Sequence, residues 1–428
     1  MVSTQEQKIV QALSKRIVKA QQKIRILDTI KWDDTVKTQF FKEKCKNLPK
    51  VDKDYYSQRP LPFDVSEKRL EFNLIIRDAR HSLGEYSAAT QLIKRQCEEY
   101  IQALALLDSR GTPDFSRISM ALYGSPDDVF YVGGPKLSGL GASLFDVLTS
   151  LDCQLQSTAD EKRHTAKEAQ KLLQARLSQY FTHHPERVTV EVNDSMVADA
   201  AAGAETIKLN SHSRFSDRDI RYLEVHEGWV HVGTTLNGAE QPYCTFLSKG
   251  APSSSVIQEG LAVLTEVITF SSYPGRLRKI TNRVIALEKV LAGANFLDIY
   301  RYFIEVGLNE EDSYNHTVRV FRGSLPELGP FTKDLSYTKG FVLIYNFIRL
   351  CISQKKIDTI PLLFMGKIGL QDLPLLQELK TEQLLAPPMY LPPQFEDLAA
   401  LSAWMSLSLY LNKFDMQEMK RVFYGLLI

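Results

Sequence analysis

The segment HEGWVH sets two histidines, His226 and His231, around an acid, Glu227. Two imidazoles and a carboxylate this close together are the parts of a zinc hydrolase: the rings bind the metal and the acid moves a proton. The usual form is H-E-x-x-H, with histidines at i and i+4 on one helical face. Here the spacing is i and i+5. Five residues of an ideal α-helix turn through about 500°, so the two rings would point roughly 140° apart. One tetrahedral zinc cannot take both from that arrangement. The spacing therefore predicts a distortion within 228–231, either a π-bulge or an early helix end, with Gly228 lowering the backbone cost. A regular α-helix through His231 would exclude the metal.

A catalytic zinc needs a third protein ligand and an open position for water. Glu259 in QEGLAVLTE is the candidate, with Gly260 and Ala262 small enough to let another helix approach. Glu266 falls on nearly the same face and is placed to orient a histidine from behind. Tyr337 and His316 are candidate donors to the oxyanion of a peptide hydrolysis. An enzyme that cuts near a chain end must also hold a terminal carboxylate, which suits the planar fork of arginine. Arg319 and Arg322 in HTVRVFRG, with Lys333 and Lys339 in FTKDLSYTKG, form a basic cluster for that task. Cys244 lies between the two metal-bearing segments. As a fourth ligand it would close the site and make the metal structural, the reading of a regulatory or binding protein. The other histidines carry less: His183 and His184 before Pro185 read as dipole partners at a helix end, and His212 as a loop residue.

The elements that position these residues are mostly helices. Residues 1–110 read as helix after helix, with Ile9, Leu13, Ile17 and Val18, and then Leu70, Phe72, Ile75 and Ile76, at helical spacing. GGPKLSGLGA at 133–142 reads as a loop or linker. A further helix is expected over 158–182. The pattern then changes: VTVEV at 188–192 alternates every two residues and is β-branched, so it reads as a strand, with a second at Thr206–Leu209. That second strand suits an edge on which an extended peptide could pair, and its flank at 198–205 has little side-chain bulk. Ser216 and Asp219 form a capping box that starts the motif helix, and GTTLNG at 233–238 reads as the turn that ends it. Ser255 and Gln258 read as a second capping box, opening the Glu259 helix. Helices are expected over 276–306, 341–353 and 397–427. The chain divides into a helical region at 1–150, a core at 151–345 that holds the site, and a helical region at 346–428. The fold class is α+β, predominantly helical.

Composition removes whole function classes. The 428 residues carry 52 Lys plus Arg and 51 Asp plus Glu, a net charge of +1, which gives no general reason to bind nucleic acid or an anionic membrane. Five cysteines, none within four residues of another, make no zinc knuckle or redox pair and suit a reducing compartment. The amphipathic, basic N-terminus lacks the apolar run of a signal peptide, and no stretch approaches the ~18 apolar residues of a membrane span. A cytoplasmic protein is expected.

At HEGWVH and QEGLA the sequence resembles the bacterial flavohaemoglobin expression-modulating QEGLA motif proteins, whose animal relatives are the microtubule-associated tyrosine carboxypeptidases. The resemblance runs from about residue 60 to about residue 420 and includes GTPDFSRISMALYGSP at 111–126 and FRGSLPELGPFTKDLSYTKGF at 321–341. It implies a zincin-like metallopeptidase core with Zn2+ on His226, His231 and Glu259, with Glu227 as general base. The substrate it implies is a peptide or protein C-terminus. The animal forms remove a C-terminal tyrosine from tubulin. The long low-complexity N-terminal extension expected of those forms is missing, which points away from tubulin and towards a bacterial host.

Overall fold

The computed structural model describes residues 3–155, 161–194, 196, 198–327 and 329–426. It is an α+β protein in which helices dominate and strands are few and short.

The N-terminal third follows its helical periodicity. Helices Thr4–Ala20, Val65–Leu83 and Ala88–Asp108 each open on a side-chain cap, from Ser3, Asp64 and Ser87. Their apolar stripes meet in one buried cluster that also takes in Val230, Leu261, Ala262, Ile344 and Met405. These three helices thus pack directly behind the segments that carry the motif.

Residues 133–142 are not all loop: a helix starts at Leu137 and runs to Gln154. Its small residues serve packing, since a Cβ on Gly141 would lie 3.1 Å from Val284. The helix expected over 158–182 spans Ala166–Tyr180, with residues 156–160 outside the described residues.

Among the described residues, five strands form two small sheets: β1 (His164–Thr165), β2 (Thr189–Asn193), β3 (Ala200–Ala202), β4 (Thr206–Asn210) and β5 (Arg214–Phe215). β1 pairs with β5, and the other sheet has the order β2-β4-β3. β4 is therefore central rather than at the edge, parallel to β2 and antiparallel to β3. The free edge beside the motif belongs to β3, an alanine strand too short to announce itself by alternation. Ile207 and Leu209 of β4 bury with Leu173 and Leu177 of the preceding helix and with Leu223 and Val232 of the motif helix.

That motif helix begins as expected: Ser216 and Asp219 exchange side-chain to backbone hydrogen bonds. It does not stop at residue 233. A further helical stretch, Gly233–Ala239, continues it. Isolated propensity favours a turn in GTTLNG, but tertiary contacts override it. Asn237 donates to the carbonyls of Phe364 and Tyr390 and accepts from the Tyr390 amide, tying this turn of helix into the core. Among the described residues, no helix is long and apolar enough to cross a membrane.

Candidate metal centre

Between its two α-helical ends the motif helix is a π-helix, Glu224–Val232. The π-turn closes i to i+5 hydrogen bonds, so residues five apart come to lie one turn apart on the same face. This is the distortion that the i, i+5 histidine spacing requires. The ring centroids of His226 and His231 lie 4.8 Å apart with planes at 90°. Gly228 acts differently from expectation. It does not use a positive φ. A Cβ there would meet Leu177 Cδ2 at 2.4 Å, so its role is to admit Leu177.

Glu259 reaches the same point from the helix Ser254–Ile268. Its Oε2 lies 3.3 Å from His226 Nε2 and 3.5 Å from His231 Nε2. One glycine contact fixes that approach. The Glu259 helix crosses the helix Ser336–Ser353 at Gly260 and Gly340, where a Cβ on Gly260 would sit 2.2 Å from the Gly340 carbonyl carbon. No other residue fits without moving the backbones apart, and with them Glu259 and Tyr337.

The residues behind the site hold the rings. Glu266 Oε1 is 2.6 Å from His226 Nδ1, and Arg276 donates to both Glu266 oxygens at 3.1 and 3.3 Å. This carboxylate fixes the His226 tautomer with Nε2 turned forward. His231 is held by Gln258, whose Oε1 lies 3.4 Å from His231 Nδ1 and accepts from Thr234 and Lys367 at 2.8 and 3.2 Å. Gln258 is therefore not a capping residue. The cap position is Ser253, which makes no side-chain cap. Sequence reasoning missed Gln258 because a Gln three residues after a Ser fits a capping box equally well. Lys367 also donates to the His231 carbonyl at 3.2 Å, and burial lowers its pKa to about 8. Nothing in the sequence near residue 367 signals that contact.

The electrostatics favour a cation between these groups. Burial alone would keep His226 neutral, but Glu259 and Glu266 raise its pKa to about 9. Burial likewise disfavours the Glu259 carboxylate, yet His226, His231 and Lys333 hold its pKa well below the ordinary range. Glu259 Oε2 is buried and makes no well-aligned hydrogen bond. Three lone pairs, from two imidazoles and that oxygen, thus converge on one point, with their atoms within 4.8 Å of one another. Among the described residues this is the one such group, and its donor set suits zinc. Cys244 does not join it. It is buried in the apolar core with Phe246 and Leu247, and burial raises its thiol pKa to about 12.

Glu227 stays outside this group. Its Oε2 accepts a 3.0 Å hydrogen bond from the amide of Ala202 on β3, and its Oε1 lies 4.0 Å from His226 Nε2. In front of the rings lies a cavity of about 790 Å³, lined by His226, Glu227, Tyr337, β3 and a group of basic residues. Tyr337 stacks on His226 at 6.3 Å and 22°, and burial raises its pKa to about 12.

The expected basic residues separate. Arg319 lines the cavity but makes a two-point bond to Asp334 at 2.8 and 2.9 Å. Arg322 lines it with Nε buried and unpaired. Lys333 sits against the site itself, 3.6 Å from Glu259 Oε1. Lys339 turns away to Asp128 at 2.7 Å. His316 lines the cavity, where burial and the nearby Arg283, Arg319 and Lys279 lower its pKa to about 3. His183 packs near Tyr390 at 6.0 Å and His184 faces Glu186 at 3.8 Å, both beyond the helix that ends at Tyr180. Arg283, on the helix Pro274–Leu291, also reaches the cavity and lies 4.7 Å over the Tyr337 ring. It stands in an ordinary-looking helix, so no sequence signal marked it.

The family model of the microtubule-associated tyrosine carboxypeptidases matches residues 38–413, most of the chain. The chain belongs to this family. No curated protein matches it. In this member of the family, the matched span holds the π-helix, the Glu259 helix, β3 and the four arginines that line the cavity.

Proposed function

We propose that the protein is a zinc-dependent metallocarboxypeptidase with a zincin-like core, hydrolysing a peptide bond near a C-terminus. His226, His231 and Glu259 would hold the metal. The observation that carries this reading is the buried, unpaired Glu259 Oε2 facing two imidazole Nε2 atoms, each ring fixed from behind by its own partner. A zinc ion there would supply a Lewis acid and lower the pKa of water towards ~7.

The chain's own residues supply the rest. Glu227, anchored through Oε2, keeps Oε1 free to take a proton from the attacking water and return it to the leaving amine. The open edge of β3 offers backbone groups to an extended substrate, and its alanines leave room for one. Tyr337, neutral at any working pH, is placed beside His226 as a hydrogen-bond donor to a developing oxyanion. The basic end of the cavity receives the terminal carboxylate. The family's name makes a C-terminal tyrosine on a protein tail the first substrate to try. A structural metal site finds less support, since it needs a fourth protein ligand and Cys244 lies in the core.

The test is hydrolysis of a peptide ending in tyrosine, followed by mass spectrometry. The wild type should release the terminal residue, and Glu227→Gln should lose at least about 100-fold in rate. Equal cleavage by the two proteins would remove Glu227 from the mechanism.

A further inference from the structure

Four arginines face the cavity or its rear wall, and their hydrogen bonding divides them. Arg276 is engaged by Glu266 and Arg319 by Asp334. Arg283 has two buried nitrogens, Nε and Nη1, without a hydrogen-bond partner, and Arg322 has one, Nε. Arg283 Nε does lie 3.7 Å from Asp334 Oδ2, close enough for attraction and too far for a hydrogen bond. Two carboxylates thus serve four guanidinium groups. Buried donors left unpaired are costly, and native proteins keep few of them without a use.

We propose that Arg283 and Arg322 form the anchor for the substrate's terminal carboxylate, and that the distance of Arg283 from His226 sets the cut one residue from the end. The proposal rests on the carboxypeptidase reading above. A carboxylate brings two oxygens and one negative charge, which matches two neighbouring guanidinium groups with free N–H donors. Arg319, the obvious choice from sequence, has its fork filled by Asp334 and instead holds that carboxylate in place.

The ruler follows from two stacked contacts. The His226 ring lies 6.3 Å from the Tyr337 ring, and the Arg283 guanidinium lies 4.7 Å from that same ring. The span from His226 to Arg283 is therefore at most about 11 Å, with about 3 Å taken at each end by the polar contact itself. An extended chain advances roughly 3.3–3.6 Å per residue. What is left is too short for two residues. Tyr337 is the spacer, with His226 and Arg283 both against its ring.

The experiment compares peptides ending in a free tyrosine carboxylate with the same peptides amidated. Binding is measured by calorimetry on Glu227→Gln, and turnover on the wild type, Arg283→Gln, Arg322→Gln and Arg283→Lys. The free acid should bind at least about 10-fold more tightly than the amide, and each Arg→Gln change should raise KM for the acid by about 10–100-fold. The same changes should leave the amide's weak binding alone, which a merely structural role would not do. Arg283→Lys, which keeps the charge, should recover part of the loss. The wild type should release single residues. Equal binding of acid and amide, or a dipeptide as the main product, overturns the anchor even if a variant fails to fold. Binding to Glu227→Gln is read without turnover. Tight acid-selective binding with no hydrolysis by the wild type would therefore support the anchor while refuting the enzyme reading.

Discussion

Glu266 has no exposed side-chain surface and joins His226 to Arg276, so its replacement should register in both stability and metal affinity. Glu266→Gln keeps the volume but puts one amide NH2 where both neighbours donate. Whichever way the amide turns, it faces either the His226 Nδ1–H or the Arg276 guanidinium with a donor. Removing one partner of a buried ion pair costs about 3–5 kcal/mol. An unfolding entropy of about 2.1 cal/mol/K per residue amounts to about 0.9 kcal/mol/K for 428 residues. The melting temperature should therefore fall by about 3–6 °C in the metal-free protein. His226 also loses the partner that fixes its tautomer, which should weaken metal binding by about 10–100-fold. Differential scanning calorimetry of chelated protein reads the first effect, and competition with a chromophoric chelator reads the second. A variant that melts within 1 °C of the wild type, by about the precision of such a scan, and holds metal equally well would refute the reasoning.

Four further outcomes follow from the same geometry. Gly260→Ala drives a Cβ to 2.2 Å from the Gly340 backbone and should cost at least about 1–3 kcal/mol by denaturant titration, with a larger loss of metal affinity than Gly139→Ala, where nothing lies within 4 Å. For Asp334, burial disfavours the charge, but Arg319 and Arg283 hold its pKa well below the ordinary range. Its stabilisation is then complete above the unfolded value of about 3.9 and is lost as the pH falls towards the folded value. The stability gap between wild type and Asp334→Asn should be constant from about pH 5 to 8 and narrower at about pH 3, read by urea unfolding. His316, with its pKa lowered to about 3, should show no ring titration by NMR between about pH 8 and 4.5, and should cost stability as the pH falls below about 6.5. Cys244→Ser should leave metal content unchanged, because its thiol lies in the core; loss of metal would place it at the site.

The sequence was most informative where one spacing admitted few geometries. An i, i+5 histidine pair cannot share an ion from an α-helix, so a distortion followed from arithmetic, and the π-helix supplies it. The long N-terminal helices and the strands at 189–193 and 206–210 were legible because their apolar periods match their burial. What remained hidden depends on partners far along the chain. GTTLNG is helical because Asn237 finds backbone groups at 364 and 390. Gln258 serves His231 because Lys367 and Thr234 converge on it. β3 stands at the edge because β4 pairs on both sides, a fact of register that three alanines cannot announce. Among the basic residues, charge and spacing could not separate Arg319, occupied by Asp334, from Arg322 and Arg283, which retain free donors.

Three ligands converge on the metal site, and metal stoichiometry is the sharpest test of them. Purified wild type, loaded with zinc and freed of excess, should retain one metal ion per chain by inductively coupled plasma mass spectrometry. Folded His226→Ala and Glu259→Gln should retain none, while Glu227→Gln should keep the full amount. A well-folded wild type that holds no metal, or a His226→Ala protein that holds as much as the wild type, would contradict the central claim.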